Sequence, residues 1–191
     1  QEHTAQDFLF DEMTKRNYAL DRWTVNVEDI KDHPGFSPVK VDYSNAINIV
    51  ATHRPKKEIG RSLILNGHID VVPEGPYEMW SRNPFDPAIE GDWMYGRGGA
   101  DMKAGIVANI FALDAIRKLG YQPAARGHIQ SVVEEECTGN GALACLVRGY
   151  NAEAAIIPEP VDDKLVRGNV GVLWFKVSVK GLPVHVRAVS Y

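Results

Sequence analysis

His128-Ile129-Gln130-Ser131-Val132-Val133 runs without a break into Glu134-Glu135-Glu136. An apolar run of strand length that delivers three acids to its end decides how the chain is read. At the edge of a core, carboxylates are costly unless protons or a metal compensate them, the alternative being an ordinary solvated loop. Outward from that stretch the pattern recurs. Ser62-Leu63-Ile64-Leu65-Asn66 leads into Gly67-His68-Ile69-Asp70, and Ala154 to Ile157 leads into Pro158-Glu159-Pro160. Ala46-Ile47-Asn48-Ile49-Val50-Ala51 is a further short apolar run bounded by turn residues, hence a buried strand. From Lys103 to Leu119, Ile106, Val107, Ile110, Leu113 and Ile116 recur at helical spacing, with Gly120 placed to cap the end. Gly141 to Val147 reads as a short helix ending at Gly149. Strands alternating with helices predict an α/β fold, a mainly parallel sheet flanked by helices. In such sheets ligands gather beyond the carboxyl ends of strands, where His68, Glu135, Glu136 and Glu159 fall. An imidazole with several carboxylates suits a borderline divalent metal such as zinc. Ligands spread over distant strand ends indicate a catalytic site rather than a structural one.

Composition narrows the class. With 191 residues, 45% of them apolar and 24% charged, the chain can bury a core of its own. A net charge of −4 gives no reason to expect nucleic acid or an anionic membrane as partner. Two cysteines, Cys137 and Cys145, are too few for a disulfide framework. No apolar run approaches the roughly 18 residues that span a bilayer. Residues 1–20 are charged and read as an amphipathic helix through Ala5, Phe8, Leu9, Met13, Tyr18 and Leu20, not as a signal peptide, so a cytoplasmic address is expected. The chain opens at Gln1 without Met and stops at Tyr191 just after a strand-like run, so it reads as a fragment. Trp80 to Arg97 reads as a long loop anchored by Trp80, Phe85, Trp93 and Tyr95, either beside the substrate or a structural excursion. From Lys164 the texture changes: a turn at Gly168-Asn169-Val170-Gly171 precedes alternation at Leu173, Phe175, Val177 and Val179. Residues 1–168 are therefore expected to form one domain, and residues 169–191 to begin a second, β-containing one.

Four motifs in order resemble the M20 family of co-catalytic zinc hydrolases, which includes acetylornithine deacetylase, succinyl-diaminopimelate desuccinylase, aminoacylase and glutamate carboxypeptidase. They are His68-Ile69-Asp70, the run Gly96-Arg97-Gly98-Gly99-Ala100-Asp101-Met102-Lys103, Glu135-Glu136 with Gly139 and Gly141, and Glu159-Pro160. The resemblance implies a zinc-exopeptidase-like catalytic domain, incomplete at its C-terminal part, followed by the start of an inserted α+β lid and dimerisation domain. It implies two zinc ions per full-length chain, with cobalt or manganese as substitutes. His68, Asp101 and Glu159 would surround one ion, and Asp101, as a bridge, and Glu136 the other. Asp70 would orient His68, and Glu135 would be the general base. A second-domain His that helps stabilise the oxyanion is matched by His185, whereas the family's C-terminal His ligand has no counterpart.

The implied activity is hydrolysis of the amide bond of N-acyl amino acids. The alternatives are a metallopeptidase of the same family acting on short peptides and a non-catalytic metal-binding relative. A homodimer through the lid domain is expected of the full-length protein, and the fragment alone is expected to be nearly inert. Competing readings remain in view. Asp101 could simply cap the helix that follows it, and Glu159 could lie on a rigid surface turn. The glycine run does not follow a strand in dinucleotide-binding register. Neither Cys137 nor His3, His33, His53 and His128 qualifies as a nucleophile or ligand, and Lys103 is expected to tune local charge.

Overall fold

The computed structural model describes residues 2–162, 164–168, 171, 173 and 175–181. The chain divides into two compact units, Gln1–Pro160 and Val161–Tyr191.

The first unit begins with α1 (Glu2–Lys15), β1 (Ala19–Thr24), the single-turn α2 (Val27–Ile30), β2 (Ile47–His53) and β3 (Leu63–His68). A small hairpin of β4 (Ala88–Glu90) and β5 (Trp93–Tyr95) follows, then α3 (Ala104–Lys118), β6 (Gly127–Val132), α4 (Asn140–Val147) and β7 (Ala154–Ile156). Five strands form one sheet in the order β1-β2-β6-β3-β7. The α/β class expected from the sequence holds, with a mixed sheet. β3 runs parallel to both β6 and β7, while β2 is antiparallel to β1 and β6. Parallel neighbours need a crossover, which α3 supplies between β3 and β6.

The sheet is buried on both faces at its centre. Every residue of β6 is buried, as is all of β2 after Ile47. Ile49 and Ala51 join the main core with Leu9, Met13, Ile106, Ile110 and Ile129. Val50 lies between them and packs instead with Val132 and Cys145, as the two-residue period of a strand requires. Arg16, just past the end of α1, is tied to α3 by an ion pair with Asp114 at 2.8 Å. α3 lies so close over β3 that a Cβ on Gly67 would sit 2.7 Å from Ile106 Cγ1. That contact places the start of α3 next to the end of β3, where the candidate ligands gather.

The long loop is only partly as expected. Trp80 anchors it, donating from Nε1 to the Glu74 carbonyl at 2.8 Å beneath the Arg97 guanidinium. Trp93 is 71% exposed and anchors nothing in this unit, because the Gly91-Asp92 turn folds it into the outlying hairpin.

In the second unit no strand forms among the described residues, and Leu173, Phe175, Val177 and Val179 are exposed. Alternation alone does not make a strand without a partner to pair with. Among the described residues no helix is long and apolar enough to cross a membrane.

Candidate metal centre

His68 closes β3 and is 1% exposed. Its Nδ1 lies 3.0 Å from the Asp70 carbonyl and 3.4 Å from Asp70 Oδ1. With Nδ1–H donating to these oxygens, Nε2 faces outward and can offer its lone pair to a metal once its proton is displaced. It faces carboxylates: Asp101 Oδ1 at 3.1 Å, Glu159 Oε1 at 3.5 Å and Glu135 Oε2 at 3.9 Å.

Each acid arrives by a different local device. Asp101 follows Gly98, whose φ of +77° turns the chain, and sits in extended backbone (φ −111°, ψ 100°) just ahead of α3. α3 carries no side-chain cap, so Asp101 is not spent on capping. Glu134 takes a left-handed φ of +66°, which reverses the chain after β6. Its own carboxylate turns to Tyr43, accepting from the phenol at 2.9 Å. Glu135 and Glu136 follow, their N–H groups donating to Asp70 at 3.3 and 3.1 Å. Sequence reading expected Asp70 to orient His68 but missed this second grip, since a side chain bonding to backbone far along the chain leaves no spacing signal. Glu159 comes from just beyond β7, and its Oε1 is buried without a hydrogen-bond partner.

The structure therefore brings His68, Asp101, Glu135, Glu136 and Glu159 together, with Asp70 behind them. Ligand atoms of His68, Glu135 and Glu159 lie within 4.8 Å of one another, and so do those of His68, Asp101 and Glu136. These triads share His68 and divide the acids differently from the expected sets, pairing Glu159 with Glu135. His185 lies outside the described residues.

The electrostatics follow from the crowding. Burial alone would push the His68 imidazolium down in pKa. The hydrogen bond and charge of Asp70 outweigh it, Glu159 and Glu135 add, and the pKa rises to about 9. Burial would raise Asp70, yet His68 and the Glu136 and Glu135 N–H groups hold it below the usual carboxylate range. Glu159 is pushed up to about 7 by burial, against the His68 charge and with Asp101 and Glu135 adding. Burial and then the Asp101 charge raise Glu136 as well. Carboxylates this close disfavour one another's charge unless a cation relieves them. One imidazole nitrogen, several carboxylate oxygens and an orphaned Glu159 oxygen fit a divalent ion of the zinc type.

Two neighbours complete the surroundings. Lys103 donates from Nζ to the Ile69 carbonyl at 3.0 Å, so it steadies the backbone between His68 and Asp70. A cavity of about 630 Å³ opens alongside, walled by Ile69, Val71, Phe85, Tyr95 and Lys103, but none of the converging ligands lines it.

Comparisons with known proteins bear on the family and the fold. The model of peptidase family M20/M25/M40 matches residues 64–184, a span that includes every acid of the centre and His68. The N-formyl-4-amino-5-aminomethyl-2-methylpyrimidine deformylase of Halalkalibacterium halodurans is 37% identical over 139 residues, covering 72% of this chain and 32% of that protein. The succinyl-diaminopimelate desuccinylase of Methylobacillus flagellatus is 32% identical over 162 residues, covering 80% of this chain and 42% of that protein. This chain thus spans less than half the length of these curated relatives. Among solved structures, a tripeptidase from Staphylococcus aureus superposes with a TM-score of 0.59 at 23% identity, over 84% of this chain and 39% of that one. Human carnosine dipeptidase 1 gives the same TM-score, 0.59, at 20% identity over 82% of this chain and 32% of that one, and both likenesses speak for the fold alone. The converging ligands lie within the matched span, and the chain belongs to peptidase family M20/M25/M40.

Proposed function

We propose that the protein is a zinc-dependent amidohydrolase that cleaves the amide bond of N-acyl amino acids. One observation carries the reading: imidazole and carboxylate donors from four separate segments gather in two triads that share His68, with a buried Glu159 oxygen left without a hydrogen-bond partner. The names of the curated relatives, a deformylase and a desuccinylase, favour acyl removal. Zinc, when bound, would lower the pKa of water and polarise the scissile carbonyl. His68, Asp101 and Glu159 are proposed to hold one ion, and Asp101 with Glu136 the other. Asp70 fixes the His68 tautomer through its carbonyl and carboxylate. Glu135 is half exposed while its backbone is tied to Asp70, so its carboxylate can take a proton from water and hand it to the leaving amine.

Further parts of the proposal concern the whole protein. Residues 1–168 are assigned to the catalytic domain and residues 169–191 to the start of a lid domain, through which a homodimer would form. His185 would then serve the oxyanion, and the address would be cytoplasmic. Peptidase activity is the second reading, favoured by the name of the matched family.

The test uses protein expressed from its complete gene and loaded with zinc. N-formyl, N-acetyl and N-succinyl amino acids are offered beside dipeptides. Acyl hydrolysis is expected to be the faster, and Glu135→Gln to reduce it about 10²–10⁴-fold with zinc retained. Hydrolysis of dipeptides only would transfer the proposal to the peptidase reading, and undiminished turnover by Glu135→Gln would remove Glu135 from its role.

A further inference from the structure

Behind the metal centre, a single carboxamide ties both ends of the acid turn. Asn48, on β2, is fully buried. Its Oδ1 accepts from Val133 N–H at 3.1 Å, and its Nδ2 donates to the Gly141 carbonyl at 2.7 Å. Val133 enters the turn and Gly141 leaves it, so this one side chain closes the loop that carries Glu134, Glu135 and Glu136. We infer that Asn48 is a positioning residue whose bridge between Val133 and Gly141 sets where the Glu135 and Glu136 carboxylates point. The inference rests on the metal reading of that site.

Three features leave the turn no slack. The ladder between β2 and β6 ends at Ile49 opposite Ser131, and beyond it side chains do the bridging. Gln6 spans the gap to the Ile47 and Ser131 carbonyls, and Asn48 takes the next step along. Gly141 packs against Val133 so tightly that a Cβ there would sit 1.9 Å from Val133 O. Inside the loop, the Glu134 carbonyl accepts from Thr138 N–H at 3.0 Å and Gly139 N–H at 2.7 Å.

On the front of the turn, Asp70 holds the N–H groups of Glu135 and Glu136. The turn is thus gripped from two sides, by Asp70 toward the centre and by Asn48 from behind. This double grip matters because the two acids are adjacent yet fall into different ligand triads. Neighbouring side chains diverge that way only while the backbone between them is fixed. Without the carboxamide, the buried Val133 N–H loses its partner, the Gly141 carbonyl keeps only its bond within α4, and the turn must move to restore the bridge.

The test compares Asn48→Ala and Asn48→Asp with Thr52→Ala in the 191-residue chain. Thr52 lies on the same strand and its hydroxyl makes an equally buried hydrogen bond, to His128 at 2.9 Å, so its loss controls for simple destabilisation. Two readouts are taken on metal-free protein: calorimetric titration with zinc alone, and amide hydrogen exchange at Glu135 and Glu136. Asn48→Ala is expected to weaken zinc binding about 10–100-fold, as loss of a ligand-orienting partner does, and to speed both amides at least about tenfold relative to those of β1. Asn48→Asp keeps an acceptor for Val133 but sets a carboxylate against the Gly141 carbonyl, so it should show the same change. It also supplies the readouts if the alanine variant does not fold. Thr52→Ala should change neither. The inference is overturned if the Asn48 variants keep wild-type exchange at Glu135 and Glu136, or if Thr52→Ala reproduces their losses. A wild-type chain that binds no zinc would instead break the metal reading, while the exchange measurement would still judge the bridge.

Discussion

The two sides of the candidate metal centre are built on opposite terms. On one side the His68 and Asp70 side chains are 1% and 7% exposed, locked to each other and to the backbone of the acid turn. On the other, those of Asp101 and Glu135 are 51% and 49% exposed and crowd toward the one His68 Nε2. The contrast separates what the fold fixes from what a bound cation must finish. The buried side is satisfied by protein alone, whereas the exposed side gathers like charges that protein alone does not neutralise.

The largest expected effect comes from breaking the buried side. His68→Ala strips the partner from a buried carboxylate and should cost about 3–5 kcal/mol of stability, read by urea unfolding, with zinc binding lost. An equal loss of zinc with unchanged stability would mean that Asp70 does not depend on His68.

pH sharpens the same comparison in metal-free protein. The folded His68 pKa of about 9 lies above its ordinary value of 6.5, so its contribution is complete below 6.5 and is lost as pH rises through 9. Glu159, raised from 4.5 to about 7, likewise favours the protonated form and loses stability as pH rises through that range. Metal-free chain should therefore melt at a lower temperature at pH 9 than at pH 5, and saturating zinc should remove most of that difference. A melting temperature that rises with pH in the absence of metal would contradict the assignment.

On the exposed side the effects should divide by residue. Glu136→Ala is expected to lose one of two zinc ions, while Glu135→Gln keeps both, as elemental analysis of full-length protein would show. Equal metal loss in both variants would erase the distinction between ligand and base.

The smallest effect belongs to a site remote from the centre. Asp21 accepts from Arg148 Nε at 2.7 Å and Tyr150 OH at 2.6 Å near the surface. Asp21→Asn should cost only about 0.5–1 kcal/mol in urea unfolding and leave zinc affinity unchanged.

How much of this was legible in the sequence depends on how local the signal is. β3, β6 and α3 stand out because apolar runs and helical spacing are properties of adjacent residues. Their ends deliver His68 and the acids, so the ligand positions could be read as well. β1 is hidden behind the opening helix: Leu20, which reads as part of that helix, lies instead in Ala19–Thr24, an edge strand with a half-exposed pattern that includes Asp21 and Arg22, while the helix ends at Lys15. The direction of β2 was equally hidden, since an apolar run reads the same whether its neighbours are parallel or antiparallel. Least visible were Asp70 gripping the acid turn and Asn48 bridging Val133 to Gly141. Each joins a side chain to backbone that is distant in sequence and adjacent only in the fold.

The most direct measurement is anomalous diffraction at the zinc edge from zinc-soaked crystals of the protein. The expected result is a peak about 2.0–2.2 Å from His68 Nε2 and from carboxylate oxygens of Asp101 and Glu159, with any second peak against Glu136. Zinc found only at other histidines, with none on His68, would contradict the metal centre and the hydrolase built on it.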